Sequence, residues 1–251
     1  MKKVLIGISA VAVAVASVPL FAAFEAHVIN VTAKIENALA VSPDDIRFGT
    51  VFPEEVLHNP VVVQLSESFN AEGRVDDVNY IIRQKPKCAI TSRNGEVVDL
   101  AAGTATGHPK LDAEDKPWID CGPAPRVLTT GETWGVLPSL CPYLSKHPKS
   151  SNNDPSVNDG SLDSFHEPYV WSGHQVVWTD VKGRLAKSEQ DTIDTWDIDL
   201  SVPCFKGQCA QDEQVPAEYE LDPALEHKIF GCDLWVEVTG VSETPIPTPT
   251  P

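Results

Sequence analysis

Twice in its last quarter the chain alternates apolar and polar residues without a break. In "TWDIDLSVP", residues 195–203, Trp196, Ile198, Leu200 and Val202 share one side, and Asp197, Asp199 and Ser201 share the other. In "CDLWVEVTG", residues 232–240, Leu234, Val236 and Val238 stand opposite Trp235, Glu237 and Thr239. A period of two puts successive side chains on opposite faces of a strand, whereas a helix would scatter both sets around its circumference. One buried face and one wet face is the condition of an antiparallel sheet. Further strands are predicted at 46–51, 61–68, 78–83, 131–137 and 174–179, beside 195–202 and 233–239. The one helix predicted is "DPALEHKIF", residues 222–230, with Asp222 as N-cap and Pro223 at the first position. Many short strands and one short helix predict an all-β chain: a jelly-roll or Ig-like antiparallel β-sandwich with long loop insertions.

The segment "IRFGTVFPEE", residues 46–55, predicts how one strand ends. Phe48, Val51 and Phe52 suit a half-buried pleated surface. Gly49 permits a bulge, and Pro53 removes a ladder donor, so the chain should turn a sheet corner through Glu54 and Glu55. Beyond it Val61, Val63 and Leu65 share one face of the next strand. Two polar stretches, 92–117 and 145–168, are too long for hairpin turns and are expected to be surface insertions or binding loops.

Residues 1–23 have Lys2 and Lys3 ahead of an apolar run, end in small residues and contain no acid. That is the form of a secretory signal, with a retained membrane anchor as the alternative; Pro19 interrupts the run and favours cleavage near Ala23. The expected organisation is a signal peptide over 1–23, a β-sandwich domain over 24–242 and a proline-rich tail or linker over 243–251. Loss of Lys2 and Lys3 would take the net charge from −17 to −19. Such an acidic chain argues against nucleic acid, and against an anionic membrane surface after cleavage.

An even set of cysteines, Cys88, Cys121, Cys141, Cys204, Cys209 and Cys232, fits three disulfides in an exported protein. No C-x-x-C pair supports zinc instead. Cys204, Cys209 and Cys232 bracket the insertion with the short helix and are expected near one another. The location expected is extracellular or at the cell surface.

Signs of catalysis are sparse. There is no H-E-x-x-H, no G-x-S-x-G and no glycine-rich phosphate loop. The loop "NNDPSVNDGSLDS" gathers hard oxygen ligands, with Asp154, Asn158, Asp159 and Asp163 as the candidate calcium set, although its spacing is not that of an EF-hand. Otherwise no cofactor is expected. Six tryptophans raise a carbohydrate-binding sandwich as a further possibility, against the plainer reading of packing residues.

The signal running straight into a strand, the "IRFGTVFPEE" corner and the late strand pair together resemble the TasA/camelysin family of secreted proteins. The corner is similar to that family's F-G-x-V-x-P-G pattern, with Glu54 where glycine is usual. The resemblance spans most of the chain to Ser242, and the cysteine-bearing loops and acidic insertions depart from it. It implies a jelly-roll subunit, exported through a dedicated signal peptidase and assembled into an extracellular fibre, biofilm matrix or surface layer. The partner expected is therefore the chain itself. Camelysin-type members are described as metalloproteases, so the alternative is a secreted metallo-endopeptidase using some of His166, Glu167 and His174.

The alternation in "HVINVTAKIENAL" supplies an assembly device. Ile29, Val31, Ala33 and Ile35 share one face just after the expected cleavage site. That strand either pairs within its own subunit or fills an open edge in the next one by donor-strand exchange.

Overall fold

The structure, a computed structural model, describes residues 33–149, 160–210 and 215–243. The chain divides between Ile35 and Glu36 into two compact units. Of the first, residues 33–35 are described; they are solvent-exposed and belong to no strand. The second holds thirteen described strands. In chain order these begin with β1 (Leu39–Ser42), β2 (Val56–Leu65), β3 (Val75–Thr91), β4 (Thr104–Thr106), β5 (His108–Leu111), β6 (Pro117–Asp120) and β7 (Thr133–Val136). They continue with β8 (His147–Pro148), β9 (Tyr169–Ser172), β10 (Gln175–Trp178), β11 (Val181–Ala186), β12 (Ile193–Ser201) and β13 (Cys232–Glu243). One short helix, α1, spans Glu67–Ala71.

Two antiparallel sheets face each other, as the alternation predicts. One has the order β1-β2-β12-β8, and the other β11-β3-β13 with β4 and β7 paired to the far half of β3. The inward residues of β12 are Asp194, Trp196, Ile198 and Leu200, and all four are buried. They meet Val61, Val63 and Leu65 of β2 and Val78, Tyr80 and Ile82 of β3. At the centre Tyr80 donates its hydroxyl hydrogen to the Asp194 carboxylate, and Trp196 Nε1 donates to the Tyr80 oxygen at 2.8 Å. A buried indole and phenol find their polar partners in each other and in one carboxylate.

Several local expectations are corrected. The segment 46–51 is not a strand: positive φ at Gly49 (77°) and at Glu54 (70°) bends it, and Ile46, Phe48 and Val51 pack on the core without a ladder. Phe52 is exposed, not buried. The corner itself forms, because Glu54 N donates to Val202 O and Val202 N to Glu55 O, which ties it to the end of β12. The expected helix 222–230 shrinks to a 3-10 turn, Pro223–Leu225. Asp222 caps it by accepting from Ala224 N, but His227 takes a positive φ and turns the chain away. The strand expected over 61–68 stops at Leu65, where Ser66 caps α1 by accepting from Phe69 N at 3.1 Å. β3 runs well beyond the expected 78–83; it is buried on both faces over much of its length, so it lacks the alternation that would reveal it.

All six cysteines are paired: Cys88–Cys121, Cys141–Cys232 and Cys204–Cys209. Cys232 thus takes its partner from outside the expected trio. Three disulfides fit an oxidising compartment. Among the described residues no helix is long and apolar enough to cross a membrane.

Candidate functional site

The two sheets do not close on each other along one side. There β1 is bonded to β2 alone and β13 to β3 alone among the described residues, so each offers an unpaired edge. Between them opens a cavity of about 580 Å³. Its floor is the core itself, through Val61, Ile82 and Ile198. Val41 of β1 with Ile46 and Phe48 lines one wall, and Leu234, Trp235 and Val236 of β13 line the other.

Local sequence explains why this side stays open. Ser42 is followed by Pro43, so β1 cannot extend its ladder, and the bent segment 46–51 lies beside the opening instead of filling it as a strand. β13 carries register shifts after Val238 and after Val241, irregularities typical of an edge. Val41, Val238 and Val241 are exposed on these two edges. The mouth is polar and internally satisfied: Lys87 Nζ lies 2.5 Å from Asp233 Oδ1, and Thr106 Oγ1 donates to Asp233 Oδ2 at 2.7 Å. Trp235 Nε1 donates in turn to Thr106 Oγ1 at 3.1 Å. A trough that reaches the core between bare main-chain edges can accept a strand; Asp44, Asp45, Lys87, Thr106 and Asp233 also line it.

Of the residues expected to mediate assembly, Ile29 and Val31 lie outside the described residues, while Ala33 and Ile35 are exposed, Ile35 at 94%. Of the calcium set, Asp154, Asn158 and Asp159 also lie outside the described residues. Asp163 is exposed and sits 3.5 Å from His147 Nε2. Among the described residues no three His, Cys, Asp or Glu side chains converge as a metal site.

The candidate protease residues are engaged separately. His174 is exposed in the β9–β10 turn, 3.4 Å from Asp115. His166 turns inward, with Nδ1 2.7 Å from Asp163 O and Nε2 2.7 Å from Gln84 Oε1. Burial pushes its pKa down to about 4, with the charge of Lys146 contributing. Glu167 is exposed.

The tryptophans divide in the same way. Trp196 belongs to the core, whereas Trp235 and Trp178 flank the outer face of β3. Lys85 Nζ lies 3.3 Å over the Trp235 ring and Arg83 lies 5.0 Å from the Trp178 centroid. Arg83 is also paired with Asp180 and Glu237, so this surface is a closed charge network.

Sequence reasoning found the corner and the flanking strand β13 but missed the cavity. The proline after β1 was its one local signal. No family model matches the chain, and the comparisons with curated proteins and with solved structures found no match.

Proposed function

We propose that this protein is an exported structural subunit that polymerises by strand donation into an extracellular fibre or surface layer. Residues 1–23 direct export. The segment bearing Ile29, Val31, Ala33 and Ile35 then enters the cavity between β1 and β13 of the next copy. What carries the reading is the cavity's form: a trough of mixed lining that reaches the apolar core at Val61, Ile82 and Ile198 and is bordered by two unpaired edges. A strand laid there gains main-chain hydrogen bonds from an edge and places every second side chain on the core. Ile29, Val31, Ala33 and Ile35 have that spacing. The contact is head-to-tail and does not close on itself, so repetition gives a filament. The TasA/camelysin resemblance points to the same class of product, and three disulfides suit a protein that works outside the cell.

The test is binding in trans. A chain lacking residues 24–38 should take up a synthetic peptide of those residues with one-to-one stoichiometry. A peptide with Val31→Asp should bind at least tenfold more weakly. Equal binding of both peptides, or binding of neither, contradicts strand donation.

A further inference from the structure

Apart from that cavity, two side chains converge on a single amide in the interior. Lys146 and Gln84 are both fully buried, at 0% exposure. Lys146 Nζ donates to Gln84 Oε1 at 3.0 Å and to Thr179 O at 3.4 Å. His166 Nε2 approaches the same Gln84 oxygen at 2.7 Å. The orientation of the amide is set by its other end, where Gln84 Nε2 donates to Cys141 O at 3.0 Å. The backbone holds the lysine just as firmly: Lys146 and Leu162 exchange both main-chain hydrogen bonds, at 2.8 and 2.9 Å.

The proton count in this cluster is unusual. Both ring nitrogens of His166 face oxygen acceptors, Asp163 O and Gln84 Oε1, so both contacts are hydrogen bonds only when the ring is an imidazolium. An imidazolium beside a lysine ammonium would place two positive charges in a water-excluded space. Burial opposes both, lowering Lys146 to about 8 and His166 to about 4. A single proton shared by the pair therefore relieves the conflict. When it sits on His166, Lys146 is a neutral amine beside a carbonyl polarised by an N–H donor. Amine nucleophile, amide electrophile and acid are then in place together.

We propose that Lys146 and Gln84 are the partners of an intramolecular isopeptide crosslink. Lys146 passes a proton to His166, and its freed Nζ lone pair attacks Gln84 Cδ. His166 Nε2–H stabilises the developing charge on Oε1. A proton from Nζ moves to the departing nitrogen, the Cδ–Nε2 bond breaks, and the leaving ammonia takes up the proton held on His166 and departs as ammonium. The product is a secondary amide, with His166 returned to the neutral state. No oxidant or cofactor is consumed. Gln84 lies in β3 of one sheet, and Lys146 directly precedes β8 of the other, so the bond would staple the two layers of the sandwich. His166 is a positioning and proton-holding group, while Lys146 and Gln84 are the reacting ones.

Mass spectrometry of the purified, reduced full chain tests this. The expected intact mass is one ammonia below that of the sequence, and peptide mapping should find the Gln84 peptide branched onto the Lys146 peptide. Mapping should avoid trypsin, because cleavage after Arg83 would free Gln84 to cyclise with loss of the same ammonia. Lys146→Met should restore the full mass, and His166→Phe should slow crosslinking at least tenfold while leaving the same final product. A wild-type chain of unreduced mass, with separate Gln84 and Lys146 peptides, overturns the proposal even if neither variant folds.

Discussion

Gly183 of β11 sits directly across from Tyr80 of β3, and a Cβ placed on it would lie 2.2 Å from the Tyr80 ring. The ring cannot yield, because its hydroxyl is hydrogen-bonded to Asp194 and Trp196 in the core centre. Glycine within a strand here marks a close approach. Gly183→Ala should therefore destabilise the chain by about 1–3 kcal/mol, the usual cost of overpacking. Urea unfolding measures it, and a change within error of zero would mean that Tyr80 has a second position.

The disulfides should differ in worth according to the loops they close. Cys141–Cys232 spans 91 residues and Cys204–Cys209 only 5, so a loop-entropy estimate gives about 4–5 kcal/mol for the first and about 2 for the second. Replacing each pair with alanine and comparing denaturation midpoints should reproduce that order. Titration of the unfolded, unreduced protein should find no free thiol.

Acid should weaken the fold through His166. Its folded pKa is lowered to about 4 from an ordinary 6.5, so between these values the unfolded chain binds more protons than the folded one. Stability is then fully present above about pH 6.5 and falls as pH drops towards 4. His166→Phe should flatten the slope between pH 6.5 and 5. An unchanged slope between pH 6.5 and 5 would show that the ring is not buried as described.

Much of this was legible in the residues, and the failures share a cause. β12 and β13 face core on one side and water on the other, so Trp196, Ile198 and Leu200, and Leu234 and Val236, display the period of two. β3 is covered on both sides, and "DDVNYIIRQKPKCAIT" hides its length. The short strands β4, β5 and β6 have no core face of their own to advertise them. The corner through Glu54 was visible as punctuation, yet Phe52 was misplaced because its exposure is decided by the tertiary path. The cavity and the Lys146–Gln84–His166 cluster join residues distant in sequence, so neither leaves a local pattern.

Assembly should fail selectively when the donated face is charged. Val31→Asp in the mature chain should reduce fibre formation at least tenfold while the disulfide-bonded sandwich stays folded by near-ultraviolet circular dichroism. Unfolding of the monomer by the same change would instead assign the strand to its own subunit's core.

The central claim is polymerisation by the N-terminal segment, and electron microscopy of the purified mature chain beside a chain lacking residues 24–38 tests it most directly. Filaments from the first and monomers alone from the second are the predicted result. Filaments of the same form from both chains, or monomers from both under conditions where the protein is natively folded, would contradict it.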